Sequence, residues 1–133
     1  MKTINYVSIP STIEEDINQG KTTWRSGKCV SIDEGNSVTL YIGHHEGEVV
    51  TDMEGNTVHP LEAYPIKVSK PVNRDKAINA AEMEAYRLNN AMDVASFGAS
   101  MARKFRENPD DPEVKEHDKF ISWVKKELSG IGY

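Results

Sequence analysis

Twenty residues hold three of the four histidines of this chain, interleaved with carboxylates. The segment YIGHHEGEVVTDMEGNTVHP, residues 41–60, brings together His44, His45, Glu46, Glu48, Asp52, Glu54 and His59. Imidazoles and carboxylates are the ligands of catalytic zinc and the carriers of protons in acid–base catalysis. Spacing limits what they can do here. His44 and His45 are adjacent, so in a strand their rings leave opposite faces. Both reach one ion only if the backbone turns, and Gly43 and Gly47 bracket them with residues that permit a turn. His59 stands just before Pro60 in the next hairpin, from which it could approach the other two. A small metal-dependent hydrolase built on His44, His45 and His59 is therefore one alternative. The chain has no HExxH and no paired CxxC. The preferred reading is a solvated polar segment that holds no metal and no cofactor.

The remaining candidates are isolated. His117 falls on an apolar helix face, where a histidine usually packs its ring and makes one hydrogen bond; a catalytic role needs a partner that the sequence does not name. Cys29 alternates with Val30 in a strand, with no neighbouring base to lower its pKa. No GxSxG elbow, GxGxxG or GxxxxGK[ST] loop occurs. Arg103, Lys104 and Arg106 gather at a helix C-terminus, where they suit the helix dipole and offer a site for a phosphate or an acidic partner. Trp24, Tyr41 and Tyr64 could form an aromatic patch, although core packing is the stronger reading for Trp24. The candidate binding surface is thus Tyr41, His44, His45, Glu46 and Glu48 in the first half, with Arg103, Lys104 and Arg106 in the second.

The elements that position these residues change period near Pro71. Before it, CVSIDEGNSVTLYI alternates: Val30 and Ile32, then Val38, Leu40 and Ile42, share one face, with Ser31, Thr39 and Tyr41 on the other. EGNSV at 34–38 recurs as EGNTV at 54–58, which predicts two hairpins with similar turns. Further strands are expected at 22–24 and 64–69, the last confined to an edge by Pro65 and Pro71. Residues 9–20, IPSTIEEDINQG, read as a short capped helix. Together these make a β-rich module over residues 1–71: a bent antiparallel sheet or a partly open SH3-like barrel, preceded by a short helix.

Residues 72–133 are helical, either packed on that module or projecting from it. Asp75 is the predicted N-cap. Ile78, Ala81, Ala85, Leu88, Met92, Ala95, Ala99 and Ala102 follow at spacings of three and four, with Val94, Phe97, Met101 and Phe105 alongside. One helix from Asp75 to Arg106 would be about 48 Å long, against a radius of gyration of about 14 Å for a globule of this size. Compactness favours a break at Asn89-Asn90, with Asp93 after a new cap. ENPDDP ends the helix, and Asp110 or Asp111 caps the next, with Pro112 in its first turn. Its seam is Val114, His117, Ile121, Val124 and Leu128, and the short loop makes the last two helices an antiparallel hairpin. The fold class is α+β.

Composition narrows the function. With 133 residues, 38% of them hydrophobic and 28% charged, the chain supports a real core. Net charge is −5; residues 1–72 carry 6 Lys and Arg against 10 Asp and Glu, and residues 73–133 carry 10 against 11. Such a surface disfavours nucleic acid, which rewards basic patches. One cysteine forms no internal disulfide, MKTINYVSIP lacks the apolar core of a secretory signal, and no apolar run reaches the roughly 18 residues of a membrane helix. A cytoplasmic, acidic, non-enzymatic accessory protein is expected: an adaptor, inhibitor or assembly module. Its partner would be another protein, or a second copy bound through helices, and not a membrane. A nucleic-acid accessory factor is the second alternative.

Overall fold

Two local rules, period two before Pro71 and period 3.6 after it, divide the molecule. The structure, a computed structural model, describes residues 2, 4–8, 22–25, 28–51, 53–58 and 60–133. The predicted helix at 9–20, His59 and the side chain of Trp24 lie outside what is described. The chain forms two compact units, Ile4–Val72 and Asn73–Tyr133, the second including Lys2. The fold is α+β.

The first unit contains β1 (Val7–Ser8), β2 (Thr22–Arg25), β3 (Lys28–Asp33), β4 (Ser37–Glu46), β5 (Val50–Thr51), β6 (Thr57–Val58) and β7 (Leu61–Ser69). Five strands form an antiparallel sheet in the order β1-β7-β4-β3-β2, and β5 and β6 pair separately. Among the described residues β1 and β2 do not pair, so the sheet is open and the barrel is not closed. Both EGN turns place glycine at positive φ, 93° at Gly35 and 84° at Gly55. A Cβ at either would meet nothing within 4 Å, so backbone conformation and not space demands the glycine. Lys70 Nζ meets Asp33 Oδ2 at 2.7 Å beside the first turn. That bond, with the Gly35 N–H, holds the Asp33 carboxyl below its ordinary pKa.

The first hairpin departs from the predicted facing. Ile32 pairs with Thr39 and Ser31 with Leu40, so Ile32 lies on the Tyr41 side and not with Leu40 and Ile42. A one-residue change of register exchanges the faces of a strand. An extra residue in β3 also interrupts the alternation opposite Thr23/Trp24, so Cys29 and Val30 are both buried. Cys29, Tyr41 and Ala63 form one buried cluster with Ile32 packed on it. β7 is not an edge strand throughout: β1 covers it at Glu62 and Ala63, while from Pro65 to Ser69 it pairs only with β4 among the described residues.

The second unit contains α1 (Arg74–Tyr86), α2 (Ala91–Glu107) and α3 (Pro112–Gly130). The break at Asn89-Asn90 is real. Arg87 ends α1 in the left-handed conformation at φ 56°, and Asn90 caps α2 by accepting from Asp93 N at 2.9 Å. Asp93 Oδ2 accepts in turn from Asn89 N at 3.0 Å, which ties the residue before the cap to the first turn of α2. Asn73, not Asp75, caps α1, because its Oδ1 is the group placed to accept from Lys76 N, at 2.9 Å. Asp111 caps α3 with Pro112 at its start. Arg74 donates to Ser129 Oγ, Tyr133 O and Lys125 O at 2.9–3.2 Å, fastening the start of α1 to the end of α3.

The break also corrects the alanine seam. Ala77, Ala81 and Ala85 are fully buried in α1. In α2, Ala95, Ala99 and Ala102 are exposed, and the inward row is Val94, Phe97 and Met101. The non-helical residues between α1 and α2 uncouple their phases, so a continuous count through them selects the wrong face of α2.

Candidate functional site

His44 and His45 lie in strand β4 and not in a turn. Gly43 adopts φ 64°, and between Ile42↔Tyr64 and His45↔Glu62 strand β4 spends one more residue than β7. This bulge aims the two rings at different acceptors. His44 Nε2 lies 2.8 Å from Cys29 O. His45 Nδ1 lies 3.0 Å from Gly43 O, and its Nε2 faces Glu62 Oε2 at 3.4 Å. The Tyr6 and His45 rings meet nearly perpendicular, with centroids 4.4 Å apart. Glycine at 47 makes room for this arrangement, because a Cβ there would fall 2.3 Å from Glu62 Oε1. Glu46 and Glu48 are exposed. Among the described residues no group of three His, Cys, Asp or Glu side chains is disposed to hold a metal ion.

Tyr41, read as a surface residue, is buried, and burial raises the pKa of its phenol. Burial likewise raises the pKa of Cys29 and keeps its thiol protonated.

The helical unit supplies what the sequence could not name. His117 Nε2 donates to Glu82 Oε1 at 2.7 Å, and Glu82 is only 6% exposed. Glu82 sits beside Ala81 on the buried face of α1, and that carboxylate on an alanine-lined face was the one available signal. Its partner lies 35 residues away on another helix. Tyr86 packs within ring-contact distance of Phe97, His117 and Phe120, with centroids at 4.5, 5.8 and 5.7 Å. Its hydroxyl is buried, and no group among the described residues bonds to it. Burial, with the Glu116 and Glu82 carboxylates, pushes the phenol up to about 12. Beside it lies a cavity of about 280 Å³ lined by Lys2, Tyr86, Phe97, Met101, Glu113 and Glu116.

The basic cluster splits. Lys104 bonds to Glu113 across the α2–α3 loop, which raises its pKa, while Arg103 and Arg106 stay exposed. Next to them α2 exposes Ala91, Ala95, Gly98, Ala102 and Phe105, at intervals of four, three, four and three residues. That spacing is one continuous helical stripe. Phe105 is 51% exposed, and Met92 on the adjoining flank is 77% exposed. A shallow groove of about 350 Å³ runs between α2 and α3 along Gly98, Met101, Ala102, Phe105, Val114 and His117. No described helix is long and apolar enough to cross a membrane. Comparison with protein-family models, with curated proteins and with solved structures finds no match.

Proposed function

We propose that this chain is a non-catalytic protein-binding or assembly module that docks a partner protein on the exposed stripe of α2, part of which borders the groove toward α3. The observation that carries this reading is the exposed stripe ending in Phe105, open to solvent along the whole helix. Phe105 is the one large apolar side chain in the stripe, and aromatic residues are enriched among those that dominate binding energy. The partner segment is an amphipathic helix. Its apolar side chains lie along Ala91, Ala95, Gly98 and Ala102, where small residues permit close approach, and Phe105 enters its surface. Carboxylates on its flank meet Arg103 and Arg106. The buried Cys29 and Tyr41 and the half-buried His44 serve the β-unit's packing in this reading, and His45, Glu46 and Glu48 form a separate polar rim. A cytoplasmic setting goes with it, supported by one unpaired, buried cysteine.

Affinity capture from the native host tests the proposal, with Phe105→Asp run in parallel. The variant is expected to fold as the parent does and to lose the captured partner. Equal capture by both proteins would overturn it.

A further inference from the structure

The stripe that docks the partner is bordered by charge of opposite sign on its two sides. Seen down α2, Arg106 lies about 40° to one side of Ala102 and Met101 about 100° to the other. Met101 is on the groove side, so Arg106 stands on the outer border, with Arg103 one turn earlier. Across the groove α3 brings Asp118, next to His117 and Val114. Other charges nearby are engaged: His117 with Glu82, Lys104 with Glu113, and Lys115 with Asp110 at 3.4 Å. Arg103, Arg106 and Asp118 are exposed, and among the described residues none of them makes an ion pair. We propose that the partner's helix carries carboxylates along one flank and lysine or arginine along the other, and that these flanks fix the direction in which it lies. The inference rests on the docking reading and names the partner's chemistry. A helix laid along the stripe sets one flank over Arg106 and the other over Asp118. Turned end for end, it exchanges its flanks and meets like charge on both borders. Exposed pairs contribute little affinity each, but reversal turns every attraction into a repulsion. The two directions should therefore differ about five- to tenfold in affinity.

The probes are two stapled helical peptides of 17 residues, the length of α2. Both have a seam of alanine and leucine. One carries glutamates on the first flank and lysines on the second, and the other exchanges the two flanks. Each bears a nitroxide at its N-terminus and is titrated into the full chain carrying ¹³C-methyl methionine, in which Met92 reports the start of α2 and Met101 its second half. Both peptides should bind saturably and in opposite directions, so that one nitroxide broadens the Met92 methyl more strongly and the other the Met101 methyl. Asp118→Lys, at an exposed position, should keep the fold and remove that difference. The proposal is overturned if both peptides broaden the same methyl more strongly, if the pattern survives Asp118→Lys, or if a peptide with glutamates on both flanks binds the parent more tightly than either. A parent chain that sediments as a dimer at these concentrations would give the face to a second copy and overturn it too. If no peptide binds, the docking reading falls with it; if both bind without directional preference, that reading stands and this inference alone fails.

Discussion

Tyr86→Phe removes one oxygen and keeps the ring. The ring contacts with Phe97, His117 and Phe120, at centroid distances of 4.5 to 5.8 Å, survive the change. What disappears is a buried hydroxyl that no described group bonds to. Leaving such a group unsatisfied costs about 1–3 kcal/mol, and some of that is recovered wherever solvent reaches the cavity beside it. The variant should therefore be more stable than the parent by about 1 kcal/mol. For a chain of this length that is a rise of about 3–5 °C in Tm. Urea unfolding followed by far-UV circular dichroism measures it. The same group sets an alkaline signature. Its pKa is raised from 10 in the unfolded chain to about 12 in the fold, so its stabilisation is complete below pH 10 and is lost as pH rises through 12. Tyr86→Phe should flatten that part of the pH profile. A variant less stable than the parent by 1 kcal/mol or more, with an unchanged alkaline slope, would refute the reasoning.

Three further substitutions probe the scaffold. Ala81 is fully buried in α1 and Ala95 is exposed on α2, so Ala81→Leu should cost about 1–3 kcal/mol by overpacking and Ala95→Leu almost nothing; paired thermal melts decide. Arg74→Ala removes three hydrogen bonds from the end of α3 and should cost about 1 kcal/mol, a value kept low by solvent exposure, with faster amide exchange confined to residues near Ser129. Gly35→Ala meets no clash but must hold φ 93°, so it should lose about 1 kcal/mol by urea melt.

The sequence was most legible where one residue type answers one local demand. Gly35 and Gly55 mark turns because they stand at positive φ, Pro112 marks a helix start, and Asn90 with Asp93 marks a cap. Each of these signals acts over a few residues. What failed depended on longer-range choices. The pairing of Ile32 with Thr39 is set by where the three-residue connection, Glu34 to Asn36, closes, and alternation alone leaves two registers open. The seam in α2 was misread because the same local signals that break the helix also reset its phase. The pairing of His117 with Glu82 joins two helices, and its distance in sequence hid it. Tyr41 and Cys29 looked like face residues of a half-exposed sheet. The bulge in β3 and the packing of Ala63 and Ile32 bury them together.

Docking on the exposed face of α2 is the central claim, and one comparison tests it most directly. A photo-crosslinking residue at position 95, in the exposed stripe, is compared with one at Lys125, exposed on α3, in extracts of the native host. Each is made with and without Phe105→Asp. The account predicts one discrete crosslinked protein from position 95, none from position 125, and its loss by about thirtyfold or more with Phe105→Asp, as for an aromatic hot spot of about 2 kcal/mol. Crosslinking at position 95 that is indifferent to Phe105→Asp, or equal at both positions, would contradict it.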